Sequence, residues 1–60
     1  MNNYVSVDYI EASMALEWVR ENCPGYITND QHPNNPFLID FFFSLNTLED
    51  MTAFKLMWAK

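Results

Sequence analysis

His32 and Cys23 carry the side chains best suited to act as a general base or a nucleophile, and neither lies in a recognisable catalytic motif. His32 stands in the segment QHPNN, where no acid or serine adjoins it. A general base needs an orienting partner, so we expect His32 to be a solvated surface residue. Cys23 precedes a proline, and the nearby carboxylate of Glu21 would raise the pKa of its thiol. We therefore expect Cys23 to be partly buried and unreactive.

Asp40 is the more informative polar residue, because it interrupts the apolar segment FLIDFFFSL at positions 37–45. A charge within such a strand has two interpretations. It can keep an exposed sheet face soluble, or it can form one half of a hydrogen-bonded or charged pair with another molecule. The sequence leaves both interpretations open.

Metal, cofactor and phosphate-loop chemistry find no support in the sequence. One cysteine and one histidine cannot supply a zinc site without several carboxylates, and none is spaced for that role. Gly25 is the only glycine, which excludes a glycine-rich phosphate loop. We therefore predict a protein that has no enzymatic activity and binds neither a metal nor a cofactor.

The composition is that of a small acidic globular protein. The 60 residues carry a net charge of −5 and are 50% hydrophobic, which is too apolar for a disordered chain. Nucleic acid and anionic membranes are poor partners, because the basic residues Arg20, Lys55 and Lys60 are scattered. A lone cysteine forms no internal disulfide, and no leader, lipidation motif or membrane-spanning segment is evident. We expect a cytoplasmic protein.

The apolar pattern predicts strands and helices in the order β-α-β-β-α within a single domain, residues 1–60. The strands are predicted at 4–7, 26–28 and 37–44, the helices at 8–22 and 46–60, and a surface loop at 29–36. The predicted apolar sides of the two helices are Ile10, Met14, Ala15, Trp18 and Val19 in the first, and Leu48, Met51, Phe54, Met57 and Trp58 in the second.

Capping patterns occur at both helix starts. The candidate pairs are Asp8 with Glu11 for the first helix, and Asn46 with Glu49 or Thr47 with Asp50 for the second. Gly25 is expected to end the first helix with a positive φ.

The third strand is the longest and most apolar, so we expect it in the middle of the sheet. A right-handed β-α-β crossover that skips one strand position leaves room for it. The predicted fold is an α+β two-layer sandwich, in which a three-stranded antiparallel sheet of order 1-3-2 carries both helices on one face. This is a ferredoxin-like layout that lacks the last strand. The other face of the sheet is then uncovered.

Alternation along the third strand assigns its side chains to the two faces of the sheet. Phe37, Ile39, Phe41 and Phe43 are predicted to pack under the helices, and Leu38, Asp40, Phe42 and Ser44 to lie on the uncovered face. Tyr4 and Ser6 of the first strand share that face. An exposed apolar patch with a polar rim is typical of interaction sites. The candidate protein-binding residues are therefore Tyr4, Ser6, Leu38, Asp40 and Phe42.

The last third of the chain resembles a family of proteins. The segments FFFSLNTLEDMTAFKLMWAK (41–60) and EWVRENCPGY (17–26) are similar to short uncharacterised accessory proteins of tailed bacteriophages. The shared features are an aromatic strand, a short turn and a helix with an acid, an aromatic-basic-leucine run and a tryptophan. They correspond here to Phe41 and Phe43, Asp50, Phe54, Lys55, Leu56 and Trp58. The resemblance implies a phage protein that works in an infected bacterium by binding a host enzyme or defence factor, and it assigns no catalytic residue.

The sequence leads to one preferred function and two alternatives. We predict a small acidic phage-type protein that binds protein, and so modulates or inhibits a bacterial host protein. It would bind no nucleic acid and no membrane, and a homodimer is expected to use the same patch or the edge of the first strand. The alternatives are a nucleic-acid-associated regulator, which the scarcity of basic residues disfavours, and a purely structural homodimeric module.

Overall fold

A computed structural model describes residues 3–59 and confirms the α+β fold, with elements in the order β-α-β-β-α. The strands are β1 (Tyr4–Asp8), β2 (Tyr26–Gln31) and β3 (Leu38–Phe43), and the helices are α1 (Ala12–Asn22) and α2 (Leu48–Trp58). A single 3₁₀ turn, Leu45–Thr47, leads into α2. The strands form the predicted antiparallel sheet of order 1-3-2.

The core lies between the sheet and the helices, with Phe54 of α2 at its centre. Its ring centroid is 5.0 Å from that of Phe41 and 5.3 Å from that of Phe43 on the central strand. The buried apolar side chains come from the sheet, from both helices and from the residue that follows the first helix: Val5, Val7, Ala15, Val19, Cys23, Phe41, Phe43 and Phe54. Removal of these large side chains from water is the main stabilising term for the fold.

Phe37 does not pack under the helices, which corrects its predicted place. It precedes β3 and is 63% exposed, and its ring lies 5.9 Å from that of Tyr9. The backbone N–H of Phe37 donates to the side-chain oxygen of Asn35 at 2.9 Å. This turn places Phe37 outside the strand, so the predicted alternation of faces begins only at Leu38.

β2 is longer than predicted, because the polar residues 29–31 continue the strand instead of starting the loop. β2 is an edge strand that pairs only with β3, so its polar side chains remain in water while its backbone completes the sheet. A bulge between Tyr26 and Thr28 shifts the register and leaves Ile27 60% exposed. The prediction that β2 ends at residue 28 is therefore wrong, because it relied on the turn-forming residue types at 29–31.

α1 begins later than predicted and has no capping box. Asp8 belongs to β1, and its carboxylate accepts the N–H of Ile10 at 3.1 Å in the turn before the helix. Glu11 occupies the N-cap position and makes no side-chain cap there. Ile10 and Met14, predicted to face the core, are 72% and 57% exposed, because the helix buries the narrower stripe around Ala15 and Val19.

Neither predicted cap of α2 forms. Ser44 accepts the N–H of Asn46 at 3.3 Å, and the carboxylate of Asp50 accepts the N–H of Gly25 at 3.0 Å instead of capping its own helix. Met57 is 58% exposed, outside the core to which it was assigned. Lys60, the last residue of the predicted helix, lies outside the described residues.

Gly25 is needed for close approach and not for a left-handed turn. No described residue has a positive φ, which corrects the predicted conformation of Gly25. A Cβ atom at this position would lie 1.8 Å from Oγ1 and 2.4 Å from Cβ of Thr47. The contact brings the α1–β2 connection against the start of α2.

Candidate functional site

The face of the sheet away from the helices, here called the open face, contains all five predicted site residues. Residues directly opposite each other in an antiparallel pair share a face. Tyr4 opposes Phe42, Ser6 opposes Asp40 and Asp8 opposes Leu38 across β1 and β3, and Thr28 and Asp30 of β2 oppose Phe42 and Asp40. The open face therefore comprises Tyr4, Ser6, Asp8, Thr28, Asp30, Leu38, Asp40 and Phe42.

Asp40 lies on this face but not at its surface, because its neighbours leave it only 3% exposed. Ser6 Oγ donates to Asp40 Oδ1 at 2.5 Å, and His32 Nδ1 lies 3.1 and 3.0 Å from the two carboxylate oxygens. We call Ser6, His32 and Asp40 the polar cluster. Asp40 is thus not an exposed solubilising charge, which corrects that interpretation. Its carboxylate already bonds to Ser6 and His32 within the chain, and a pair with another molecule stays a prediction.

His32 is the principal residue that sequence reasoning missed. It was expected to be solvated and without an acidic neighbour, yet it is partly buried and bonded to Asp40. Its backbone N–H donates to the Leu38 carbonyl at 3.0 Å, which holds it next to β3. The only signal that could have found it is the two-residue period of an extended β2, in which positions 28, 30 and 32 share a face.

The polar cluster contains a serine, a histidine and an acid, the residue types of a hydrolase triad, but its hydrogen bonds connect them differently. In a triad the serine bonds to the histidine, and the histidine to the acid. Here the Ser6 hydroxyl and the His32 Nδ1 atom both bond to Asp40. The serine proton is therefore directed to the carboxylate and not to an imidazole base, an arrangement suited to satisfying a buried charge.

The rest of the open face is aromatic at one end and acidic at the other. The rings of Tyr4 and Phe42 lie with centroids 5.6 Å apart, and both side chains are partly exposed. Asp8 and Asp30 are exposed on either side of the central strand. Neither Asp8 nor Asp30 was predicted as part of the site. The face is consequently more acidic than the sequence indicated.

Cys23 is buried at 3% exposure, so it is more buried than the partial burial predicted for it. Its Sγ–H donates to the backbone carbonyl of Asp50 at 3.7 Å. Burial, and secondly the charge of Asp50, raise the pKa of the thiol above its ordinary value. A buried thiol with a raised pKa holds little thiolate at neutral pH and is a poor nucleophile.

Two negative findings concern the described residues 3–59. No group of three or more His, Cys, Asp or Glu side chains there is arranged to hold a metal ion. No helix in the same part of the chain has the length and apolar character needed to span a bilayer.

Comparison of the chain with protein-family models, with curated proteins and with solved structures finds no match.

Proposed function

We propose that this chain is a binding protein without enzymatic activity, whose open face docks on a protein of a bacterial host and so modulates or inhibits it. The observation that carries the proposal is a sheet face without a covering helix, on which Tyr4 and Phe42 lie side by side and Leu38 is partly exposed. Aromatic side chains contribute large contact areas to protein interfaces with little loss of conformational freedom.

The polar cluster supports this role because it joins the three strands beneath the face. Ser6 comes from β1, Asp40 from β3, and His32 directly follows β2. A network in which each buried polar group has a partner is rigid. A rigid surface binds with a smaller loss of conformational entropy than a mobile one.

The acidic groups on the face favour a partner of opposite charge over a second copy of the chain. Two copies that stacked their open faces would bring the exposed Asp8 and Asp30 carboxylates of both together, in a chain of net charge −5. Like charges across an interface are unfavourable. The same carboxylates disfavour nucleic acid. The resemblance to phage accessory proteins supports a bacterial protein as the partner.

Photo-crosslinking in bacterial cells tests the proposal. A photoreactive amino acid replaces Phe42 in one sample and Leu56, an 83% exposed residue on the outer side of α2, in a control sample. We expect one discrete crosslinked protein from position 42 and none from position 56.

A competing variant completes the design. Excess unlabelled wild-type chain should suppress the crosslink, whereas excess Tyr4→Ser variant should suppress it less, because half of the aromatic pair is missing. A crosslink from position 56 alone would move the binding surface to α2. Equal crosslinking from both positions, or a crosslink only between copies of the chain, would refute docking on a host protein through the open face.

A further inference from the structure

The outer edge of β1 carries backbone groups that the sheet does not use. β1 lies at one end of the strand order 1-3-2 and, within the described residues, pairs only with β3. Phe43 N–H donates to the Asn3 carbonyl at 2.8 Å, and Tyr9 N–H donates to the Phe37 carbonyl at 3.0 Å. Alternate residues of an antiparallel strand bond to its neighbour, so the odd-numbered residues of β1 face β3. The even-numbered residues direct their N–H and C=O groups outward: Tyr4, Ser6 and Asp8.

Most of these outward groups have no hydrogen-bond partner within the described residues 3–59. The Asp8 carbonyl accepts the Glu11 N–H at 2.9 Å, at the end of the strand. The N–H of Asp8 and both backbone groups of Tyr4 and Ser6 bond to no described residue. A row of such alternating donors and acceptors is a template for another extended chain.

The opposite edge of the sheet, along β2, is less suited to pairing. A bulge between Tyr26 and Thr28 interrupts it, and the N–H of Gln31 already donates to the carboxylate of Asp30 at 2.8 Å. β1 has five residues in continuous register with β3, contains no proline or lysine, and has its single charge at its last residue, Asp8. Bulges, prolines and charges are the features that keep strand edges from pairing. The edge of β1 is therefore the one open to another strand.

The chain leaves space beside this edge. A cavity of about 380 Å³ lies against Ser6 and Asp8 of β1, and Ile10 and Trp58 form part of its wall. A volume of this size takes a small ligand or a side chain. The side chains of the outward residues also lie on the open face, so a strand added here would extend that face.

A segment of another protein fits this edge better than a second copy of the chain. Two copies that paired β1 with β1 in antiparallel fashion would centre on Ser6 and would need both backbone groups of Asp8 at each end. The Asp8 carbonyl is already bonded to Glu11, and each copy carries a net charge of −5. Like charges across an interface are unfavourable. A segment of a different protein meets neither obstacle, because it can pair with Tyr4 and Ser6 alone.

We propose that an extended segment of the partner protein pairs with the outer edge of β1 and becomes a fourth strand of the sheet. The inference rests on the proposed function, because it names the kind of segment by which the partner of the open face is held. The recognised chemistry is the alternating N–H and C=O groups of an extended backbone. Affinity should therefore depend on the backbone of the segment more than on its side chains.

An NMR titration with a model strand tests the edge without any partner protein. The probe is a blocked peptide of alternating threonine and valine, as long as β1. The control peptide carries proline at its second and third positions, which removes a donor from each of its edges. A short free strand binds weakly, so the titration extends to about 10 mM peptide. We expect downfield shifts of the amide protons of Tyr4, Ser6 and Asp8, and smaller shifts at Val5 and Val7, which face β3.

Backbone N-methylation, introduced by chemical synthesis of the chain, supplies matched variants. N-methylation of Ser6 removes the central outward N–H, keeps the side-chain bond to Asp40, and should weaken the probe by about tenfold or more. The control is N-methylation of Asn29, which should not weaken the probe. His32 N–H bonds to β3, so the N–H of Asn29, three residues earlier, faces outward on the edge of β2.

The outcomes separate this inference from the proposed function. Equal binding of the two peptides, equal effects of the two N-methyl variants, shifts centred on β2, or no shift at all would overturn strand pairing at β1. The crosslink from position 42 needs no added strand and would survive that failure. Conversely, the expected shifts without any crosslink to a host protein would support the open edge and refute the proposed function.

Discussion

At the scale of single residues, Asp40 is the group on which the open face depends. It is a carboxylate at 3% exposure, and its partners are Ser6 of β1 and His32, the residue that follows β2. A buried polar group that loses its partner costs free energy, since neither protein nor water replaces the lost hydrogen bond. The polar cluster should therefore be worth more to stability than other polar contacts at the surface of this chain.

Replacement of His32 by alanine should lower the free energy of unfolding by about 1–3 kcal/mol, because Asp40 loses one of its two donors. Urea denaturation followed by circular dichroism measures this loss. Ser13→Ala, at an exposed position on α1, is the matched control and should change the value by less than about 0.5 kcal/mol. A His32→Ala variant as stable as the control would show that water satisfies Asp40.

Cys23 should make stability fall at alkaline pH. Burial, and then the charge of Asp50, raise the pKa of the folded-state thiol above the ordinary value of 9.0. As pH rises past that ordinary value, the unfolded chain loses the thiol proton while the folded chain keeps it, so the unfolded state is favoured. The contribution is fully present below the unfolded-state pKa and is lost as pH rises toward the folded-state pKa.

Urea denaturation at several pH values between about 7.5 and 9.5 measures this effect as the slope of the free energy of unfolding against pH. The slope should be smaller in Cys23→Ala, whatever the absolute stability of that variant. Tyr26, whose pKa burial raises above the ordinary value of 10.0, is present in both proteins, so its contribution is common to both slopes. Parallel slopes for the two proteins would show that Cys23 does not carry the effect.

At the scale of elements, α2 has two sides of different importance. Phe54 is fully buried against the central strand, whereas Leu56, two residues further along the same helix, is 83% exposed. Both are large apolar residues, so hydropathy does not separate them. Only the direction in which the helix packs decides which of them stabilises the fold.

Phe54→Ala should lower the free energy of unfolding by about 3–5 kcal/mol, because it empties the centre of the core. A domain of this length has roughly 3–9 kcal/mol of total stability, so this variant loses most or all of its cooperative transition. Leu56→Ala should cost less than about 0.5 kcal/mol. Thermal unfolding of the two variants side by side compares them, and comparable losses would mean that another molecule covers the outer side of α2.

The order of elements and the order of the strands could be predicted from the sequence, because they depend on the length and apolar character of the strand LIDFFF and on the handedness of one crossover. The residues at which the strands and helices begin and end could not be predicted. Asn29, Asp30 and Gln31 favour turns by type but are held in β2 by pairing with β3. The extension of β2 to Gln31 was not predicted, so His32 was expected in a solvated loop. The polar cluster was not predicted for the same reason.

At the scale of the whole molecule, a 60-residue chain has a small core and a single cysteine, which forms no internal disulfide. Its surface charges therefore have a large effect on whether it self-associates. The predicted homodimer would have to bring two copies of net charge −5 together. We therefore expect light scattering at low salt to give the mass of one chain over about a hundredfold range of concentration.

Added salt is the informative second condition in that measurement. If charge alone keeps the copies apart, association should strengthen as salt screens the carboxylates. A dimer at low salt whose mass does not change with concentration would assign the open face, or the edge of β1, to self-pairing. The search for a host partner would then turn to the outer side of α2.

The central position of β3 determines whether a segment of fibril-forming composition has a free strand edge. The segment LIDFFF is short, rich in aromatic and aliphatic residues and free of proline and glycine, the composition typical of steric-zipper fibrils. In the native sheet both of its edges are already paired, by β1 and by β2. The fibril-forming segment is thus shielded by the two strands that flank it, and peeling away either one exposes a templating edge whose only charge is Asp40.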